Sequence, residues 1–170
     1  MFVVCGEALF DVFATGDTPT GMAMDARVGG SPFTVAVGLA RLAQPVSCLS
    51  QVSRGFLGER LMRALAAEGV QTATVQRSDA PTTLSLIGLD AQGVPSYSFY
   101  GEGCADRLLG DTALAALPAG IQAINFGSYA TVVGETAATQ RKLVEREQGR
   151  ALIAYDPNIR LNVEPSLDVW

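Results

Sequence analysis

The chain has 170 residues, 48% of them hydrophobic and 17% charged, with a formal charge of -5; that suffices for one substantial core, and its scattered basic residues exclude the electrostatic footprint that nucleic acid or an anionic membrane surface requires. No stretch approaches the roughly 18 apolar residues of a membrane span, and the start MFVVCGEALFD lacks a signal peptide's basic residues and cleavage site, so a cytoplasmic protein with a small-molecule ligand is expected. Histidine is absent, and Cys5, Cys48 and Cys104 are far apart with no Cys-x-x-Cys pair, which excludes a Ser-His-Asp mechanism and a zinc knuckle within these residues and makes the cysteines reduced packing groups.

In chain order, Met1 to Cys5 is a short apolar run that predicts a buried strand ending in the turn Gly6-Glu7, with a second extended element after it. Thr15 to Gly21 is rich in turn residues, and Met22 to Val28 alternates loosely as an exposed strand does. Gly29-Gly30-Ser31-Pro32 then opens the run Phe33 to Ala43, whose polar residues are only Thr34 and Arg41. Ser31 reads as the N-cap, Pro32 as the first helical residue, and the near-uniform apolarity predicts a buried helix. Val46 to Val52 predicts the next strand. Phe56 to Glu68 predicts an amphipathic helix, with Leu57, Leu61 and Leu65 at spacing four and Gly69 at its stop. This alternation of strand and helix predicts a parallel sheet with right-handed crossovers.

The middle of the chain departs from that pattern. Thr82 to Leu89 and Val94 to Tyr100 read as an antiparallel hairpin turning at Asp90-Ala91-Gln92-Gly93, and suggest a small separate β layer with Met22 to Val28 as its third strand. Strand Ile121 to Phe126, helix Glu135 to Gln148, strand Ala151 to Tyr155 and the loop Asp156-Pro157-Asn158 resume the alternation. The fold class is α/β, a doubly wound and mostly parallel sheet with a small antiparallel sheet beside it.

Two loops stand at carboxyl edges of predicted strands, where open α/β sheets bind ligands. Asp11 follows the first strand, and its carboxylate can accept hydrogen bonds from vicinal hydroxyls; a solvated loop aspartate is the alternative. Asp156-Pro157-Asn158-Ile159-Arg160 places a planar fork of donors within reach of an anionic group, and a turn with an exposed arginine is the alternative. Gly29 and Gly30 let a ligand approach the backbone at a helix start, although a tight turn capping a buried helix looks the same. Glu7 reads as a turn or salt-bridge residue. Gly101 to Asp106 echoes a dinucleotide fingerprint but lacks its third glycine and follows a hairpin, and no P-loop sequence occurs.

Taken together, Gly6-Glu7 with Asp11, GGSPFTVAVGLARLA from Gly29 to Ala43, FLGERLMRALAAEGV from Phe56 to Val70, and DPNIR from Asp156 to Arg160 resemble the ribokinase-like (phosphofructokinase-B type) carbohydrate kinases, and among them the fructokinases. The resemblance covers residues 1–170, one α/β kinase domain's N-terminal part, with the small sheet, drawn from about 15–28 and 82–100, acting as a lid over the sugar. It implies phosphoryl transfer from ATP with Mg2+ to a sugar hydroxyl, with 2-keto-3-deoxygluconate or nucleoside phosphorylation, or a non-catalytic sugar-binding or dimerisation module, as alternatives. The implied sugar contacts are Asp11, the backbone of Gly29 and Gly30, Thr34 in place of the family's usual asparagine, Phe99 and Tyr100 on the lid, and Arg160. The implied partners are a sugar and a second subunit paired through the lid, with neither nucleic acid nor membrane. The family's Gly-Ala-Gly-Asp sequence with its catalytic base is absent, so the base and the nucleotide site are expected outside these residues, and no metal ligands are assigned within them.

Overall fold

A computed structural model describes residues 1–89 and 92–170; the first two residues of the expected turn Asp90-Ala91-Gln92-Gly93 lie outside the described residues. The chain begins with strand β1 (Phe2–Cys5), which runs through Gly6 into β2 (Leu9–Thr18) and β3 (Gly21–Gly29). Helix α1 (Ser31–Arg41), strands β4 (Val46–Leu49) and β5 (Gln51–Ser53), helix α2 (Phe56–Ala67) and strand β6 (Gln76–Ser78) follow. Then come β7 (Leu84–Leu89), β8 (Pro95–Tyr100), β9 (Ala123–Gly127), helix α3 (Gly134–Glu147) and β10 (Leu152–Asp156).

The main sheet has the order β10-β9-β1-β4 and is parallel throughout. Its alternation divides the core in two. Val4, Val46 and Cys48 pack with Phe33 and Ala36 of α1 and Leu61 and Leu65 of α2, while Val3, Cys5, Leu49, Ile124 and Phe126 pack with Leu109, Ala113 and Leu143. Both faces of β1 are therefore covered, which is why its sequence is a continuous apolar run rather than an alternating one. In α2 the expected stripe is inward, with Leu61 and Leu65 fully buried, and Gly69 leaves the helix at a φ of 80°.

The expected strand Val46 to Val52 is divided at Ser50. The β4 part pairs with β1, whereas β5 pairs with β6 in a separate two-stranded parallel sheet. Helix α1 also differs from its sequence reading. Gly30, at φ 106°, is the N-cap, and Ser31 is already helical. The Ser31 N–H donates to Glu7 Oε1 at 3.2 Å, so a distant carboxyl does what a capping hydroxyl was expected to do. Only Pro32, Phe33 and Ala36 of α1 are buried. The helix lies along one face of the sheet, and that contact covers one stripe however apolar the remainder is.

The second sheet has the order β3-β2-β7-β8. It starts at Leu9 rather than near residue 15, because β2 continues through the turn-rich residues as far as Thr18. A register shift between Ala14 and Gly16 leaves Thr15 as the extra residue of a bulge. Nor is the sheet wholly antiparallel. β2–β3 and β7–β8 are antiparallel pairs, but β2 and β7 are parallel, from Phe10 opposite Leu84 to Phe13 opposite Ile87. Phe10 and Val12 enter the core from one side of this sheet, with Leu84 and Leu86 packed against it. The other side is free to form a cleft.

Candidate sugar-binding cleft

Strand alternation builds one wall of a cleft of about 290 Å3. Since Phe10 and Val12 face the core, Leu9, Asp11 and Phe13 face the cleft. The pairing carries this across the sheet: Asp11 stands opposite Ser85 and Ser85 opposite Phe99, while Phe13 stands opposite Ile87 and Ile87 opposite Tyr97. All six line the cleft. The facing wall comes from carboxyl edges of the main sheet: Glu7 after β1, Ser128 and Tyr129 after β9, and Asn158 and Arg160 after β10. Gly30 and Ser31, at the start of α1, close its end.

Asp11 is half-buried, and this desolvation pushes its carboxyl above the usual aspartate range; the Ser85 hydroxyl and the positive charge of Arg160 offset part of the shift. The DPNIR loop is set by Asp156, whose Oδ1 accepts the Asn158 N–H at 3.1 Å, and by Asn158 itself at φ 41°. Arg160 Nη1 donates to the carbonyls of Asn158 and Ile159, both at 3.1 Å, which fixes the guanidinium at the cleft.

Of the residues expected from sequence, Asp11, Gly30, Phe99 and Arg160 line the cleft. Gly29 lies directly behind Asp11: a Cβ there would stand 2.3 Å from Asp11 Oδ2, so the absence of a side chain makes room for the carboxylate. Thr34 lies outside the cleft. It is exposed on α1, and its hydroxyl donates to the Gly30 carbonyl at 3.0 Å. Tyr100 is also outside, because it follows Phe99 and successive residues of a strand face opposite ways; it is 60% exposed.

Several lining residues escaped the sequence reading. Tyr97, Ile87 and Ser85 share the parity of Phe99 across the hairpin register, a signal present in the alternation but useless without knowing which parity is inward. Glu7 was read as a turn or salt-bridge residue. It is only 2% exposed and forms no ion pair among the described residues. Burial, aided by the nearby Asp106, pushes its carboxyl up to about 7, against the lowering effect of Ser128 and the Ser31 N–H. The segment after β8, rejected as a cofactor fingerprint, has a structural task. Asp106 is buried and accepts hydrogen bonds from Thr83 Oγ1 at 2.5 Å and from the Tyr129 hydroxyl at 2.6 Å. The Arg107 guanidinium lies 5.3 Å from the centroid of the Tyr129 ring. Tyr129 then meets Phe99 edge to face, with centroids 5.9 Å apart, and so joins the floor of the cleft to the second sheet.

The fold is a ribokinase-like α/β architecture, a mostly parallel sheet with a small second sheet beside it. Residues 1–167 match the family described as "pfkB family carbohydrate kinase", and the chain belongs to that family. It is similar to a fructokinase from Rhizobium leguminosarum bv. trifolii, 30% identical over 160 residues that make up 94% of this chain and 49% of that protein. Among solved structures, a fructokinase from Xylella fastidiosa superimposes with a TM-score of 0.90 at 28% identity, covering 98% of this chain and 55% of the other. A sugar kinase from Pyrococcus horikoshii, solved in complex with ATP, gives a TM-score of 0.86 at 25% identity and covers 99% and 56%. The chain spans about half the length of the curated relatives it matches. Among the described residues no helix is long and apolar enough to cross a membrane.

Proposed function

We propose that the cleft is the sugar site of an ATP-dependent sugar kinase of the fructokinase type, and that this chain holds and covers the sugar. The observation that carries this reading is the row Asp11, Ser85 and Phe99 across three strands, facing Arg160 at the carboxyl edge of the main sheet. A carboxylate and a hydroxyl side by side accept and donate to vicinal hydroxyls, and the aromatic edge covers the apolar face of the ring. Gly30 supports the same reading, since it lines the cleft at the start of α1, where backbone N–H groups are within reach of a ligand.

The charges of the lining favour a neutral sugar over a sugar acid. Arg160 is the one cation among the lining residues, and its charge already acts on Asp11 across the cleft. A 2-keto-3-deoxygluconate carboxylate would meet a cation already opposed by an acid. A neutral ketose such as fructose brings no charge to desolvate.

The described residues present no all-protein cage for a metal ion. Among the described residues there is no group of three or more His, Cys, Asp or Glu side chains placed to hold a metal ion. ATP use, suggested by relatives solved with ATP, and the Mg2+ that the family resemblance implies are assigned to sequence outside these residues, as is the base that activates the sugar hydroxyl; about half of each relative's length has no counterpart here. The second sheet is the lid. Its exposed Met22, Met24, Leu89, Val94 and Tyr100 support pairing with the lid of a second subunit.

The test is a panel of sugars offered with ATP to the full-length protein. Fructose should be phosphorylated and 2-keto-3-deoxygluconate should not. Absence of fructose turnover alongside turnover of the acid or of a nucleoside would remove the substrate assignment.

A further inference from the structure

Glu7 does more at this site than hold a turn. One carboxyl oxygen, Oε1, accepts the Ser31 N–H and so serves the start of α1. The other, Oε2, is buried beside the cleft and makes no hydrogen bond of good geometry among the described residues, although the Ser128 hydroxyl lies near enough to favour the ionised carboxyl. A helix cap accounts for the first oxygen only. A buried acceptor left unpaired is costly, and native proteins retain such a group where a ligand completes it. Ser128 supplies an independent sign of function beside it. This residue lines the cleft at φ 59° and ψ -165°, a backbone region that is essentially reserved for glycine. Backbone strain of that kind persists where the surrounding structure over-determines a functional position.

We propose that Glu7 is a sugar-contacting residue, its Oε2 accepting a hydroxyl of the bound sugar at the inner wall of the cleft with Ser128 alongside. The inference rests on the cleft being a sugar site and adds to it a contact by Glu7, which the family resemblance includes without giving it a sugar-binding role. Accepting a hydroxyl favours the ionised carboxyl, so sugar binding and Glu7 ionisation are linked and each promotes the other. With its carboxyl balanced near neutrality by burial, Glu7 makes sugar affinity rise between pH 6 and pH 8. Other titratable groups surround it, and the comparison with Glu7→Gln separates their contribution from that of Glu7. Asp106, on the segment after β8, is tied to Thr83 and Tyr129 and faces Arg107. Tyr129 and Cys5 are both pushed far up by burial and stay neutral. Across the cleft, Asp11 is pushed up by its own half-burial, and Ser85 and Arg160 offset only part of that shift.

The experiment is calorimetric titration of fructose into the full-length protein without ATP, at pH 6, 7 and 8, for the wild type and Glu7→Gln. The wild type should bind more tightly as pH rises, by up to about tenfold across the range. Glu7→Gln should bind about tenfold or more weakly at pH 8, with a flattened pH profile and an unchanged KM for ATP. Equal affinity and an equal profile in the two proteins would overturn the proposal. Should the variant fail to fold, carbon-13 carboxyl spectra of the wild type decide: the glutamate that titrates near neutrality should ionise at lower pH when fructose is saturating, and an unmoved midpoint refutes the contact. A wild type that binds no sugar at any pH removes the sugar-site reading itself, and this contact with it. That outcome is distinct from a wild type that binds while the variant binds equally well.

Discussion

Gly29 offers the sharpest perturbation of the cleft, because one methyl group there meets the carboxylate of Asp11 and little else. The added Cβ of Gly29→Ala would stand 2.3 Å from Asp11 Oδ2, 3.0 Å from Asp11 Cγ and 3.3 Å from Leu9 Cδ1. Ordinary contact requires the carboxylate to withdraw by about 1 Å, which is enough to break a hydrogen bond to a bound hydroxyl. The backbone at Gly29, unlike that at Gly30, has no positive φ, so alanine brings no conformational strain. The substitution therefore tests the position of Asp11 without removing it. A hydrogen bond to a charged group contributes about 1.5–3 kcal/mol, so fructose affinity should fall roughly tenfold to 150-fold, with stability changed by less than about 1 kcal/mol. Calorimetry on the full-length Gly29→Ala and Asp11→Ala proteins and on the double variant is the assay. The double variant should bind no worse than Asp11→Ala alone, since both changes remove one interaction. Wild-type affinity in Gly29→Ala, or full additivity in the double variant, would refute the reasoning.

Other expectations follow from the same geometry. Glu7 is raised from 4.5 to about 7 in the folded chain, so between those values the folded state holds more proton than the unfolded one and stability falls as pH rises. The loss is about 3 kcal/mol and is complete above pH 7, and Glu7→Gln should flatten that slope in urea melts taken from pH 5 to 8. Asp106→Ala strands the buried hydroxyls of Thr83 and Tyr129; a destabilisation of about 2–4 kcal/mol is expected, and an unchanged denaturation midpoint would show that the network holds nothing together. Gly38 lies within α1 with open space where a Cβ would stand. Gly38→Ala should stabilise by about 0.5–1 kcal/mol, and a lower melting temperature would mean that this face of α1 is covered in solution.

The main sheet was legible because its strands are buried on both faces and its helices carry their own periodicity. Val3, Val4 and Cys5 form an unbroken apolar run, and Leu61 and Leu65 sit at helical spacing with a glycine stop after them. Less was legible where tertiary contact replaced a local signal. Ser31 has the chemistry of an N-cap, but the carboxyl of Glu7, 24 residues away in sequence, takes that place. Gly16, Asp17 and Pro19 are turn residues by composition, yet β2 runs through the first two of them by means of a bulge and a partner strand. In the cleft, Asp11, Gly30 and Arg160 could be placed because the carboxyl edge of a parallel sheet is a position readable from element order. Phe99 and Tyr100 could not be told apart, because parity in a strand has meaning only once one face is known to be buried. Glu7 and Ser128 were beyond sequence reading for a related reason: an unpaired buried oxygen and a strained backbone exist only in three dimensions.

The central claim is that these residues form a sugar site organised around Asp11. It is tested most directly by equilibrium titration of fructose into the full-length protein and its Asp11→Ala variant in the absence of nucleotide. Saturable binding by the wild type, weakened tenfold to 150-fold by the substitution, is the result expected from one lost charge-assisted hydrogen bond. Equal binding by the two proteins, or no binding by the wild type, would contradict it.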